Sequence, residues 1–173
     1  MTIKNIQKYI ELYNEEKILF EQVGNRAKKR GFLNFYEFYK ICMWKSVRQK
    51  QNYLKNKDTV EKITKNAFNS DDEAEKMSYL CELKGVEIPV ASAILTVVYP
   101  KKYAVIDKRC LDMLREKFNY KLNETITPNT WRDYLKIMRE IADDNKITPR
   151  QLDMALFAMH KEKLENEDFK NLY

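Results

Sequence analysis

Apolar residues return every three or four positions along most of this chain, the spacing of one helix face. Ile3, Ile6, Ile10 and Tyr13 predict a helix over residues 2–14. Ile18, Leu19, Gln22 and Val23 share a face of a second, from Glu15 to Lys29, and Gly31 after Lys-Lys-Arg supplies its stop. Phe35, Phe38, Tyr39 and Cys42 recur after Asn34, which pairs with Glu37 as a capping box. Val60, Ile63, Thr64 and Ala67 face inward from a helix over Asp58 to Phe68. Ser70 or Asp71 caps an acidic-headed helix that carries Met77, Leu80 and Cys81. Asp107 caps Lys108 to Phe118, and Thr127-Pro128 and Thr148-Pro149 open two more helices, the second with Gln151 as a box partner. Leu152, Leu156 and Met159 line one side of the last helix. No segment alternates as a strand does, though Ala104 to Ile106 reads as briefly extended. With only 3 Gly and 4 Pro to break helices, the fold class is all-α.

Charge adds an asymmetry to this picture. The chain of 173 residues is 44% hydrophobic and 34% charged, a globular composition that suits a single helical domain. Residues 1–69 carry 15 Lys/Arg against 7 Asp/Glu, whereas residues 70–173 carry 17 against 19. Within the single domain a basic lobe over 1–69 and a hairpin-containing lobe over 70–173 are expected, with interdigitation of the two left open. Asn25 to Lys57 alone holds ten basic side chains and one acid, Glu37. Such a block suits a polyanion, and equally the solvated face of a Lys-rich helix. Cys42, Cys81 and Cys110 are dispersed, which fits a reducing cytoplasm and argues against a disulfide framework or a metal cluster. His160, the single histidine, has no ligand-spaced partner, so no metal or cofactor is expected. The longest apolar run, Ile88 to Tyr99, is shorter than the roughly 20 residues of a membrane span. Met-Thr-Ile-Lys-Asn at the start has no apolar signal region.

Candidate chemistry concentrates between Leu83 and Asp107. Leu-Lys-Gly-Val-Glu-Ile-Pro-Val-Ala, Leu83 to Ala91, breaks one helical pattern at Gly85 and starts another at once, with Pro89 in its first turn. A turn of this kind aims backbone N–H groups outward at a helix start, where phosphate oxygens bind without sequence being read. It also serves as an ordinary connection between two helices. Asp107 follows Gly85 by 22 residues, after Tyr-Ala-Val-Ile. There it is a structural N-cap, a general base, or both. Trp44-Lys45-Ser46-Val47-Arg48 places two cations around Ser46 beside a Trp, suited to a phosphate or an extruded base. The plainer reading is a core Trp with solvated cations, and Phe35, Tyr36, Phe38 and Tyr39 likewise read as core aromatics.

The hairpin and the spaced Asp resemble the helix-hairpin-helix plus Gly/Pro-Asp superfamily of DNA glycosylases, over about a quarter of the chain. Its hairpin reads Leu-x-Gly-Val-Gly-x-x-x-Ala, and its catalytic Asp follows at this interval. The resemblance implies a two-lobed helical bundle with Asp107 at the mouth of a cleft. It implies sequence-independent backbone contacts to DNA from Gly85, Val86 and Ile88, with Lys108 and Arg109 near the pocket. Lys45 and Arg48 are expected on the opposing wall. A Trp-Lys-Ser-x-Arg element similar to this one accompanies such a hairpin in bacterial proteins, and no role comes with it. The chain departs from the family in two places. The second hairpin glycine is Glu87, and the nucleophilic lysine of the lyase members is Pro89. Imine chemistry is therefore not expected, and a base-excision activity would be monofunctional, with Asp107 activating water. Two other classes stay open: a non-catalytic nucleic-acid binder, and a protein-interaction or small-ligand module from which the acidic C-terminal part and Glu87 exclude DNA.

Overall fold

The computed structural model describes residues 3–11 and 18–170, with side chains to 165. Among them there is no strand, and the chain is all-helical. No helix among them is long and apolar enough to cross a membrane. The chain divides into two compact units: Glu16–Val105, and a discontinuous one of Met1–Glu15 with Ile106–Tyr173. Position 69/70 falls inside the first, between two helices that pack on each other.

The inserted unit begins with a π-helical segment, Leu19–Gly24, that runs into α2 (Asn25–Arg30). Gly31 ends α2 in the left-handed conformation, φ 84°, with its N–H donated to the Ala27 carbonyl. The α3 helix (Phe35–Lys45) starts on the expected capping box, worth about 1 kcal/mol. Glu37 of that box is buried and also meets Arg30 and Arg26, the latter at 3.6 Å. One acid thus neutralises two of the ten cations in the basic block. A one-turn helix α4 (Lys50–Tyr53), a 3-10 turn (Leu54–Asn56), α5 (Val60–Asn69), α6 (Glu73–Cys81) and α7 (Ile88–Val98) complete the unit. The core lies around α7, whose residues Val90 to Val98 are all buried. At Gly24 the π-helical segment crosses α7 so closely that a Cβ would stand 2.1 Å from the Val97 carbonyl oxygen. Only glycine fits there, although its own φ is ordinary.

The expected cap of α6 shifts along the chain. Asp72 is the N-cap, accepting from the Glu75 N–H at 2.8 Å, while the Ser70 hydroxyl takes the Asp72 N–H at 3.0 Å. Tyr36 is also corrected. Phe38 is fully buried and Phe35 and Tyr39 partly, but Tyr36 faces the other side of α3 and is 67% exposed.

The discontinuous unit comprises α1 (Ile6–Glu11), α8 (Lys108–Glu116), α9 (Pro128–Asp144) and α10 (Pro149–Lys170). Residues 12–14 of the first expected helix lie outside the described residues, and Asn5, at φ 59°, places its start at Ile6. Thr127 caps α9 through the Thr130 N–H, at 3.1 Å. Thr148 and Gln151 form the expected reciprocal box at the head of α10. The α10 helix packs on α1, α8 and α9 through Leu152, Ala155, Leu156 and Met159, all buried. Residues 103–107 are irregular rather than extended into a strand.

Candidate functional site

The turn between α6 and α7 is built by three local choices. Leu83 and Val86 are buried and anchor it, and the Val86 N–H closes it on the Leu83 carbonyl at 2.9 Å. Gly85 reverses the chain at φ 84°. A Cβ there would lie 2.9 Å from Cβ of Asn52, 3.1 Å from Cβ of Gln49 and 3.2 Å from a Tyr53 ring carbon. The glycine is thus required by its own conformation and by the close approach of α4. Asn56, buried at 2% exposure, then clamps the turn from the side. Its amide donates to the Lys84 carbonyl at 3.0 Å, and its oxygen accepts the Lys84 N–H at 2.7 Å. The same amide nitrogen lies 3.1 Å from the Asn52 and Tyr53 carbonyls.

What remains unpaired on this turn is informative. The N–H groups of Gly85, Glu87 and Ile88 make no hydrogen bond among the described residues. Pro89 in the first turn of α7 has no N–H to offer. The three donors sit at partly or fully exposed residues, so water or a ligand satisfies them. Glu87 is the N-cap residue of α7 and makes no side-chain cap bond. Its exposed carboxylate lies near enough to Cys81 and Tyr53 to add to the rise in their pKa values, which burial begins.

The Trp-Lys-Ser-x-Arg element lies beside this turn. Ser46 is the C-cap of α3, Val47 to Gln49 form a tight connection, and Gln49 is among the side chains that hem in Gly85. Tyr53 is fully buried with its hydroxyl unsatisfied among its neighbours, close to Ser46. Trp44 is half-buried and meets Phe20 edge-on at 5.7 Å, so its ring serves packing. Lys45 is partly buried and Arg48 exposed. Arg48, Lys50, Lys57 and Lys84 form no ion pair among the described residues, and Lys55 donates to Asn52 at 2.9 Å. The structure therefore brings Lys45, Arg48, Gly85, Val86 and Ile88 into one unit.

Asp107, Lys108 and Arg109 belong to the other unit. Asp107 caps α8 as expected, one carboxylate oxygen accepting the Cys110 N–H at 3.0 Å, and it is partly exposed. Beneath it, Tyr134 is fully buried. Burial above all, with the neighbouring Cys110 thiol and the Asp153 and Asp107 carboxylates adding to it, holds its hydroxyl well above the usual tyrosine range. Asp153 is buried in an ion pair with Arg150, and its carbonyl accepts the Cys110 thiol at 3.7 Å. Lys108 is exposed, and Arg109 lies over the Phe157 ring at 4.6 Å. Among the described residues no three His, Cys, Asp or Glu side chains gather as a metal site. His160 is half-buried on α10. The three cysteines are free, Cys42 and Cys110 buried and Cys81 exposed.

Comparisons with models of known protein families, with curated proteins and with solved structures gave no match. Sequence reading missed Asn56 and Tyr53. Asn56 meets Lys84 across 28 residues of chain, a distance no local pattern spans.

Proposed function

We propose that this chain binds DNA along the sugar-phosphate backbone, through the turn Lys84–Ile88 and the cations of the same unit. The observation that supports it most is the set of three unpartnered N–H groups on a turn whose remaining backbone is fastened from within. Outward amides in a fixed turn suit phosphate oxygens, which need donors and no base-specific geometry. The charge balance points the same way. Residues 16–105 carry 17 basic and 11 acidic side chains, net +6, and the remaining residues carry 15 of each, net 0. The whole formal charge of the chain thus belongs to the unit with the turn. The helix-turn-helix formed by α6 and α7 is the counterpart of the glycosylase hairpin in this reading.

Fluorescence anisotropy on labelled duplex and single-stranded DNA tests it. Affinity is expected at low salt and should fall by orders of magnitude as salt rises, because phosphate contacts release counterions. Glu87→Gln removes a carboxylate that opposes phosphate and is expected to tighten binding several-fold. Absence of binding at low salt would overturn the proposal in favour of a protein-interaction module.

A second reading adds monofunctional base excision, and the position of Asp107 favours it. The carboxylate is held in place by the Cys110 N–H yet remains partly exposed. A fixed anion of this kind can activate water and stabilise a developing sugar cation. Release of free base from alkylated, deaminated or oxidised DNA tests this part, and inactivity across that panel favours a non-catalytic binder.

A further inference from the structure

The outward side of α3 is not the solvated face of a Lys-rich helix. Tyr36, Tyr39, Lys40 and Met43 follow one another at the spacing of one helix side, and all are partly or fully exposed. Two tyrosines and a methionine thus stand where a solvated face carries charge. Tyr36 is 67% exposed, and the Lys40 ammonium lies 5.9 Å from its ring centre. Phe32, two residues before the Asn34 cap and partly exposed, has the Arg30 guanidinium 4.8 Å from its own ring centre. Two aromatic–cation pairs therefore mark the same end of α3. Lys28 and Lys29 of α2 are exposed just before them and, like Lys40, form no ion pair among the described residues. Between Asn25 and Lys57 the one acid, Glu37, is 3% exposed and engaged with Arg26 and Arg30. Every charge which that stretch shows to water is positive.

Charge and ring faces together narrow the partner. A second copy of the chain, docked about a two-fold axis, would set these cations against themselves. Intact duplex offers phosphates but keeps its base faces inside the stack. A single strand offers both in every nucleotide: a phosphate for a cation and a base face for a ring. We propose that the Tyr36 side of α3 is a stacking platform for unpaired bases, and that its ligand is single-stranded DNA. This rests on the inserted unit binding DNA, and it adds a contact made by residues other than those of the turn Lys84–Ile88. A base stacks on Tyr36, and Lys40, Lys28 and Lys29 hold the flanking phosphates.

The test compares anisotropy titrations of the full chain on a labelled single DNA strand of mixed sequence, on its duplex, and on the RNA strand of the same sequence. The parent is expected to prefer the single DNA strand. Tyr36→Ala should weaken single-strand binding about tenfold, the scale of one lost base–aromatic stack, and leave duplex affinity unchanged. Tyr36→Phe should keep the parent's affinity, because the ring face remains. Irradiating a strand that carries a halogenated uracil should cross-link it to Tyr36, located by mass spectrometry of the peptides. Equal losses on strand and duplex, no loss from Tyr36→Ala, or cross-links confined to other residues would overturn the platform while leaving backbone binding by the turn in place. Tighter binding of the RNA strand would overturn the assignment to DNA. Failure of the parent to bind any of the three would overturn the backbone reading and the platform together, in favour of an acidic protein face.

Discussion

The inserted unit carries the whole net charge of the chain, +6, and the discontinuous unit is neutral. In the discontinuous unit the two signs balance, 15 of each, and several of them meet in ion pairs. Asp153 is buried against Arg150, Arg115 sits between Asp112 and Glu124 at 2.5 and 3.3 Å, and Lys163 meets Glu116 at 2.5 Å. In the inserted unit, Glu37 collects Arg26 and Arg30, but Arg48, Lys50, Lys57 and Lys84 are left without ion pairs among the described residues. Charge spent on internal pairing stabilises little at a surface. Charge left bare costs little in folding and is available to a partner. The difference separates a unit with a net positive surface from a neutral one in which Asp107 caps α8.

The sharpest way to break this division is to remove that carboxylate's charge. Asp107→Asn should fold normally, since Asn caps about as well as Asp. If base excision exists, its rate should fall by roughly two to four orders of magnitude, measured as free base released in single-turnover assays. An unchanged excision rate would reduce Asp107 to a cap.

Gly24→Ala tests the inserted unit's core without touching its charges. Its Cβ would meet a backbone carbonyl that cannot swing away, so a loss of about 3 kcal/mol or more is expected in urea denaturation. A variant as stable as the parent would disprove the tight crossing.

Paired charge removals sharpen the comparison itself. Lys45→Ala with Arg48→Ala should weaken DNA binding across all sequences and lower the salt slope by about two. Lys136→Ala with Arg139→Ala, in the neutral unit, should leave both nearly unchanged. Equal effects from the two pairs would show that the asymmetry of charge is not an asymmetry of function.

Two glycines share φ 84° but not surroundings. Gly31 has nothing within 4 Å of a built Cβ, whereas Gly85 has three neighbours at 2.9 to 3.2 Å. Gly31→Ala should cost about 1 kcal/mol, the strain of a left-handed residue, and Gly85→Ala about 2 to 3 kcal/mol because packing adds to it. Thermal melts of the two variants separate the contributions.

The smallest effect lies where α1 meets α10. The Tyr9 hydroxyl donates to Glu162 at 2.7 Å, and Lys8 lies 3.5 Å from the same carboxylate. The Tyr9 bond and then the Lys8 charge hold the Glu162 carboxyl below its ordinary 4.5. A depressed pKa stabilises above the unfolded value and is lost as pH falls through the folded one. This contribution should therefore disappear below about pH 4.5. Tyr9 is raised from 10.0 by the same bond, so the contribution fades again as pH rises through the folded tyrosine value. Glu162→Gln should flatten the acid edge by about 0.5 kcal/mol or less, read from stability against pH.

The helix caps were legible because a cap is a local bargain between a side chain and an N–H three residues on. Asn34 with Glu37, Asp107, Thr127 and Thr148 with Gln151 all sit where their spacing put them. The α6 start moved by one or two residues because Asp72 takes the Glu75 N–H, while the Ser70 hydroxyl takes the Asp72 N–H one step earlier. The helices at Lys50–Tyr53 and Leu54–Asn56 left no trace in the pattern, being too short to show a period. Tyr36 was misjudged because three apolar neighbours on α3 already fill the inward stripe. The site was legible as a turn, a glycine and a set of cations. Its support was not, since Asn56 acts across the fold and Gly85 answers to α4 as much as to any ligand.

Asn56 also fixes when the cost of order falls. With both polar groups of Lys84 already bound to one buried amide, the turn is complete before anything docks. A partner arriving there meets a finished surface and does not have to freeze a loose one. Its association rate would then be set by diffusion and long-range attraction, without a slow folding phase, and its heat-capacity change would reflect only surface covered on contact. In amide exchange the same design leaves a local signature: a protected amide at Lys84 beside rapidly exchanging ones at Gly85, Glu87 and Ile88.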